Sequence, residues 1–365
     1  MNHTNRSFTA GAAGAILCIG GIFFSKQLAQ GIQNGIEICC VSLIPSLFFF
    51  LVLSGLISKT KMGIGLCAPF AQMIRRILPV TFSGASIFFF SIIGGYPVGA
   101  QLIRQKISDH SITPKEGSYL LCFCVNCSPA FLISGISVRF WNSISAGIIL
   151  YLSQVLAAII TAWLAGRKQP RLCSVSTASS LSVTPISAAL VESVSQGIHS
   201  MSMICGFVLL FCGGFSILDG YPIPEQMSIA LKGILEVTSG CQQLGLLSPK
   251  PGVLTAAALT SFGGICVFCQ ISAMIGDSGV SLKGFLLWRW FYTLCSILLT
   301  QAGMMIFQPK LEPAAISTLG GTGWSAYSVS PSSAICFLLF GAATVLFLAE
   351  RAVPAPNRLR RVSYK

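Results

Sequence analysis

Small and polar residues interrupt the long apolar stretches of this sequence, and they are the residues that could contact a solute. The run GGYPVGAQ (residues 94–101) contains three glycines and a proline and ends in a glutamine. In hydrocarbon, backbone that leaves the helix must be buried in protein or line a water-filled cavity. Its free N–H groups, and the positive end of a following half-helix, could bind a carboxylate. We therefore predict solute contacts from Gly94, Gly95, Tyr96, Pro97 and Gln101. The alternative is a packing kink that lets helices approach closely.

Two further interruptions carry polar side chains. In CVNCSPAF (residues 124–131), Asn126 and Ser128 precede a proline, and a buried amide requires a partner. We predict that both residues line the solute pathway; the alternative for Asn126 is a hydrogen bond between helices. In ILEVTSG (residues 234–240), Glu236 and Thr238 form the third candidate group. A carboxylate within a membrane is costly and usually functional, so Glu236 could couple proton movement or bind a cation. The alternative places Glu236 at the membrane interface, in contact with water.

Arg289 lies between two tryptophans in LLWRWF (residues 286–291). We predict that its side chain extends to the cytoplasmic surface, where flanking tryptophans are common. The alternative is an anchor for an anionic substrate.

Other kinds of chemistry have little support in the sequence. It contains neither a Walker A phosphate loop, nor an HExxH zinc motif, nor a nucleophile elbow, so we predict no enzyme activity and no cofactor. The cysteines of CFCVNC (residues 122–127) lack histidine or acidic neighbours, which favours packing over a metal site. The net charge of +13 comes from basic residues scattered between apolar segments, which indicates a lipid bilayer rather than nucleic acid as the partner.

The elements that position these residues are predicted to be membrane helices. The chain is 53% hydrophobic and 9% charged, whereas soluble domains carry about 25% charged residues. Runs of about 20 apolar residues, long enough to cross a bilayer, recur along the chain. We predict an all-α, polytopic bundle of about nine spans, which are 8–25, 37–58, 80–103 (broken), 118–138, 142–166, 201–219, 252–275, 283–307 and 332–350. Two shorter segments, 62–78 and 227–247, are predicted to be re-entrant hairpins or interfacial helices.

Three sequence similarities within the chain occur in the same order. QGIQNGIEIC (30–39) resembles QGIHSMSMIC (196–205), GGYPVGAQ resembles GGICVFCQ (263–270), and SYLLCFC (118–124) resembles GFLLWRW (284–290). Duplication with interrupted helices at matching positions is typical of a transporter core. The second break adds the candidate residues Gly263, Gly264 and Gln270. The predicted organisation is a first helix (1–25), a first half (26–166), a cytoplasmic linker (167–189), a second half (190–310), and a last helix with a basic tail (311–365).

Together, SLIPSLFFFLVLSGLI (42–57), GGYPVGAQ, CVNCSPAFLISGI (124–136), ILEVTSG and SFGGICVFCQ (261–270) resemble the sporulation integral membrane protein YlbJ family. The resemblance covers about residues 30 to 310. It implies two Gate, or nucleoside-recognition, domains and a role in endospore formation. It also implies transport of dipicolinic acid, a small aromatic dicarboxylate, across a membrane surrounding the forespore. A nucleoside-type permease and a non-transporting scaffold for spore assembly are the alternatives. The sequence leaves open the oligomeric state, and whether the two halves are parallel or inverted.

Overall fold

The computed structural model describes residues 21–167, 185–217 and 224–312, and every regular element within these ranges is helical. The all-α class is therefore confirmed for this part of the chain. Three sequence predictions fall mainly or wholly outside it, and they are the first span (8–25), the linker (167–189) and the last span (332–350).

Residues 21–167 contain seven α-helices of the sizes that matter for the packing, each at least eight residues long. They are α1 (Ser25–Ile38), α2 (Ile44–Lys59), α3 (Lys61–Ile77), α4 (Phe82–Gly94), α5 (Tyr96–Ser108), α6 (Pro114–Leu121) and α7 (Ile144–Gly166). A π-helical turn, Cys39–Leu43, joins α1 to α2, and another, Phe131–Val138, follows α6 and continues into Arg139–Trp141. Side-chain caps fix two of the starts. Thr81 accepts the N–H of Gly84 at α4, and Thr113 accepts the N–H of Glu116 at α6.

Two predictions for this part need correction. Residues 62–78 do not form a hairpin by themselves, because α3 is one continuous helix, and the sharp turn of 108° comes between α3 and α4. Residues 118–138 do not form one helix either. The chain leaves the helix after Leu121 and has no regular structure from Val125 to Ser128. Pro129 disfavours helical backbone at the residue before it, which explains where the interruption lies.

The second part of the chain contains α8 (Ile186–Ser216), α9 (Glu225–Leu235), α10 (Val237–Gln242), α11 (Pro249–Phe262), α12 (Gly264–Ile275) and α13 (Leu282–Phe307). A single 3-10 turn, Leu244–Leu246, lies between α10 and α11. The predicted span 201–219 was placed too late, since α8 begins at Ile186. The predicted hairpin 227–247 is a series of short helices interrupted at Glu236.

Four helical segments of the described residues are long and apolar enough to cross a membrane, or five if the bent pair α3 and α4 is one span. The four are Ile144–Gly166, Ile186–Ser216, Pro249–Ile275 and Leu282–Phe307. Helix α8 packs along α1 and α2, while α13 packs against α7 and α11. Between these groups, α5 contacts α12, which brings the two glycine-rich interruptions into the same region.

Candidate functional site

The first interruption is centred on Gly95. Its φ of +91° lies in a region that side-chain-bearing residues rarely adopt, so glycine is needed here to separate α4 from α5. Pro97 then lies in the first turn of α5, where its missing N–H removes no helical hydrogen bond. A Cβ atom added to Gly95 would lie 3.2 Å from the Cβ of Ser128. The first two candidate motifs are therefore in contact.

Helix α5 also approaches the non-helical segment closely along its own length. A Cβ atom at Gly99 would overlap the carbonyl oxygen of Cys124 and lie 3.2 Å from the Cβ of Ser91. The third glycine of GGYPVGAQ is thus required by backbone contact. It allows α5 to pack directly on residues 122–128, all of which are buried.

The second interruption lies between α11 and α12. Gly263 and Gly264 have φ values of +87° and +75°. A Cβ atom on Gly264 would lie 3.1 to 3.2 Å from the carbonyl oxygens of Gly233, Ile234 and Leu235. The start of α12 therefore packs against the C-terminal end of α9, immediately before Glu236.

Glu236 is 2% exposed, and its carboxylate caps the short helix α10. One oxygen accepts the N–H of Thr238 at 2.9 Å, and the other accepts the N–H of Ser239 at 2.6 Å. Hydrogen bonds to an ionised group are stronger than neutral ones, and they offset part of the cost of burying the carboxylate. The alternative that leaves the Glu236 side chain in contact with water at the interface is therefore wrong.

A single cavity is lined by residues from all of these motifs. It brings together seven of the predicted residues, which are Gly95, Tyr96, Pro97, Ser128, Glu236, Thr238 and Gln270. The remaining walls are mostly apolar and come from the π-helical turns, α2, α8 and α12; they include Leu43, Leu47, Phe131, Ile204, Val208 and Val267. A largely apolar wall with a few convergent polar groups is typical of a small-molecule site.

Hydrogen bonds also connect the two interruptions directly. The hydroxyl of Tyr96 donates to the carbonyl oxygen of Thr260, at the end of α11. The side chain of Thr260 in turn accepts from Nε2 of Gln154 on α7, at 2.8 Å. The aromatic wall of the cavity is thereby held against the segment that leads into Gly263.

Five predicted residues do not line the cavity, namely Gly94, Gln101, Asn126, Gly263 and Gly264. Oε1 of Gln101 accepts from the hydroxyl of Ser200 on α8, at 3.1 Å. Gly94 packs against the side chain of Val98 one turn later. Gln101 and Gln270, which match in the sequence similarity between GGYPVGAQ and GGICVFCQ, are therefore placed differently.

Asn126 forms the hydrogen bond between helical segments that was the alternative interpretation of this residue. Its Oδ1 accepts from the hydroxyl of Tyr292 at 3.0 Å, and its Nδ2 donates to the carbonyl oxygen of Phe123 at 2.9 Å. Asn126 and Tyr292 are both buried. The amide thus joins the non-helical segment to α13.

Arg289 is 1% exposed, so the prediction that it extends to the membrane surface is wrong. Its Nε donates to the carbonyl oxygen of Phe262 at 2.9 Å, and its Nη1 donates to that of Val125 at 2.6 Å. Val125 lies in the non-helical segment after α6, and Phe262 is the last residue of α11 before Gly263. Carbonyl oxygens at such positions require donors from elsewhere, and the inward-facing guanidinium supplies them. Flanking tryptophans were a misleading signal, because only Trp290 of the pair is strongly exposed.

Some lining residues were not singled out from the sequence. Cys127 lies inside the CVNC motif but had been assigned to packing, and Val267 lies between Gly263 and Gln270. Both residues lie within interrupted segments, and that position could have identified them as lining residues. The apolar residues from α8 and from the first π-helical turn carry no such signal.

The chain is similar to the curated sporulation integral membrane protein YlbJ of Bacillus subtilis (strain 168). The two are 23% identical over 304 residues, which is 70% of this chain and 72% of that protein. No protein-family model matches the sequence. No solved structure matches it either. The similarity supports the resemblance that the motifs indicated, and together with the apolar helices it identifies a multi-pass membrane protein.

Proposed function

We propose that this protein is a permease for a small anionic solute, with dipicolinic acid as the solute during endospore formation. The observation that carries the proposal is the cavity, because it brings residues from GGYPVGAQ, CVNCSPAF, ILEVTSG and GGICVFCQ together at one place. Interrupted helices that surround a buried cavity between spans are the usual binding arrangement of secondary transporters. The name of the B. subtilis relative supports a role in sporulation.

We also propose that the chain consists of two related halves with about nine membrane passes in total. Matching positions of the repeat contact each other, which supports this organisation. Cys39 and Cys205 occupy the same place in the first repeat, and their side chains are near neighbours. Helices α5 and α12, which follow the matching interruptions, pack together. Such self-contacts are expected near a two-fold axis between halves.

Within this permease, the residues that line the cavity contact the solute. Ser128, Thr238 and Gln270 supply hydroxyl and amide groups, while Tyr96 supplies an aromatic surface for the pyridine ring. Glu236 provides a carboxylate in the cavity wall, which takes up a proton or binds a cation during transport. Gln101 and Asn126 act by holding α5 and the non-helical segment in position.

The test is the dipicolinate content of spores from a deletion strain, with and without this gene. The wild-type gene should restore the content, and Gln270→Ala should restore much less because it removes a polar group from the cavity wall. Gln30→Ala is the matched control, since Gln30 is exposed on α1. Normal dipicolinate in the deletion strain would refute the proposal. If coat or cortex were abnormal in those same spores, the result would favour a scaffold.

A transport assay separates the anionic solute from the other permease alternative. Purified protein in liposomes should take up labelled dipicolinate and should not take up labelled nucleosides. Uptake of nucleosides without uptake of dipicolinate would contradict the proposal and favour a nucleoside-type permease.

A further inference from the structure

Arg289 is a buried cation without an acidic partner, on a helix that is long and apolar enough to cross a membrane. Neither of the two ion pairs found among residues 21–167, 185–217 and 224–312 includes it. Burying an unpaired charge is costly, and a buried charge in a membrane helix usually marks a solute or ion pathway. Two backbone carbonyls and the nearby ring of Tyr292, 4.8 Å from the guanidinium carbon, compensate only part of that charge.

One nitrogen of the Arg289 guanidinium forms no hydrogen bond. Nη2 of Arg289 is buried and has no hydrogen-bond partner, although both other nitrogens donate to carbonyl oxygens. The space in front of Nη2 is where a side chain at position 263 would begin. A Cβ atom built on Gly263 would lie 3.3 Å from Nη2 and 3.5 Å from the Cβ of Val267. Because 3.3 Å is a tight contact for a Cβ atom, a side chain at position 263 would crowd Nη2, and glycine leaves this side of the guanidinium uncovered.

This space lies next to the cavity wall. Val267 lines the cavity, and so does Tyr96, whose ring centre is 6.0 Å from the guanidinium carbon of Arg289. Tyr96 and Val267 thus border both the cavity and the surroundings of Nη2. The glycine at position 263 thus serves two purposes, because it interrupts the helix and leaves Nη2 uncovered by a side chain on this side.

We propose that Arg289 is the anion-recognising group of this cavity, with its free Nη2 binding a carboxylate of the solute in the space left by Gly263. The inference rests on the proposed permease function and specifies the ligand class of the same cavity, a small carboxylate. The solute's carboxylate provides the counter-charge that Arg289 lacks. The preference for anions over neutral analogues then comes from this one side chain.

The experiment measures binding of three ligands to the purified, full-length protein in lipid nanodiscs. The ligands are dipicolinate, pyridine-2-carboxylate, and the neutral pyridine-2,6-dimethanol, which keeps the ring and both arms. Arg289→Gln should weaken dipicolinate binding by about 10- to 100-fold, the range for loss of a hydrogen bond to a charged group. It should leave binding of the neutral diol nearly unchanged. Arg289→Lys keeps the charge and should retain the preference for carboxylates.

The matched control is Arg167→Gln, which removes the same charge from a side chain that stacks on Trp163. Wild-type affinities should be recovered in this variant. If a folded Arg289→Gln protein lost affinity for all three ligands equally, the role of Arg289 would be purely structural and the inference would be overturned. If that variant does not fold, the wild-type comparison still decides, because equal affinity for dipicolinate and the diol excludes an anion-recognising cation. Spore dipicolinate content tests the permease function separately, so the inference can fail while that function stands.

Discussion

Replacing Tyr292 by phenylalanine should destabilise the protein by removing the donor that binds Asn126. The hydroxyl donates to Oδ1 of Asn126 at 3.0 Å, and the two residues are 0% and 2% exposed. Phenylalanine keeps the ring and therefore its contact with the guanidinium of Arg289. The substitution removes one hydrogen bond and leaves one buried acceptor unpaired, with little change in packing.

The size of the effect follows from this environment. Leaving a buried polar group without its partner costs about 1–3 kcal/mol in soluble proteins. Inside membrane proteins, measured hydrogen-bond pair energies average about 0.6 kcal/mol and reach about 1.7 kcal/mol, because the unfolded chain in the membrane also finds partners. We expect a coupling between Tyr292 and Asn126 in that lower range. It corresponds to a change of about 3- to 20-fold in the unfolding equilibrium constant.

The assay is a double-mutant cycle with Tyr292→Phe, Asn126→Ala and the combined variant. Unfolding by sodium dodecyl sulfate in mixed micelles can be followed by tryptophan fluorescence. Asn34→Ala, at an exposed position of α1, is the control and should change stability very little. If the two single effects add to within about 0.3 kcal/mol, the hydrogen bond contributes nothing and the reasoning is refuted. Dipicolinate transport per folded molecule should be retained in Tyr292→Phe, because Asn126 lies outside the cavity.

Three further predictions concern stability under the same unfolding assay. Gly99→Ala should lower the free energy of unfolding by about 1–3 kcal/mol through overpacking. Gly206→Ala is the control and should be neutral or stabilising, because the Cβ position of Gly206 has open space around it. Equal effects of the two substitutions would argue against the close backbone contact at α5. Glu236→Ala should lower the free energy of unfolding by about 1–2 kcal/mol through loss of the α10 cap. Glu236→Gln should lower it less, because the amide keeps one acceptor oxygen. The reverse order would contradict the capping role. Glu192→Gln should cost about 1 kcal/mol by unpairing the buried ammonium of Lys59, 2.8 Å away. The difference from wild type should shrink in 1 M salt, and a salt-independent difference would show that the ion pair is not its source.

Local chemistry made part of this fold predictable. The positions of both interruptions follow from Gly95 and Gly263, because only glycine adopts their backbone conformations easily. The start of α8 was not predicted, because the local sequence there does not look like a membrane helix. Its first turns are rich in serine and carry Glu192, so composition alone placed the span later. In the structure these turns pack on α2, where Gly55 and Gly197 let the helices approach closely.

The site itself was only partly predictable. The type of each residue indicated which groups are costly to bury, and that was enough to select Glu236, Ser128 and Gln270. Whether such a group lines a cavity or joins two helices depends on its neighbours in space. Asn126 and Gln101 looked equally suited to a solute, yet their partners are Tyr292 and Ser200.

By itself, the sequence determined an all-helical membrane protein with two glycine-rich interruptions, because apolar length and backbone conformation are local properties. The tertiary structure alone decided that four distant motifs line one cavity, since that requires α5 and α12 to pack together. It also decided the orientation of Arg289. The same residue would extend to the surface on an isolated helix, but here it turns inward and donates to the carbonyl oxygens of Phe262, at the end of α11, and Val125, in the non-helical segment.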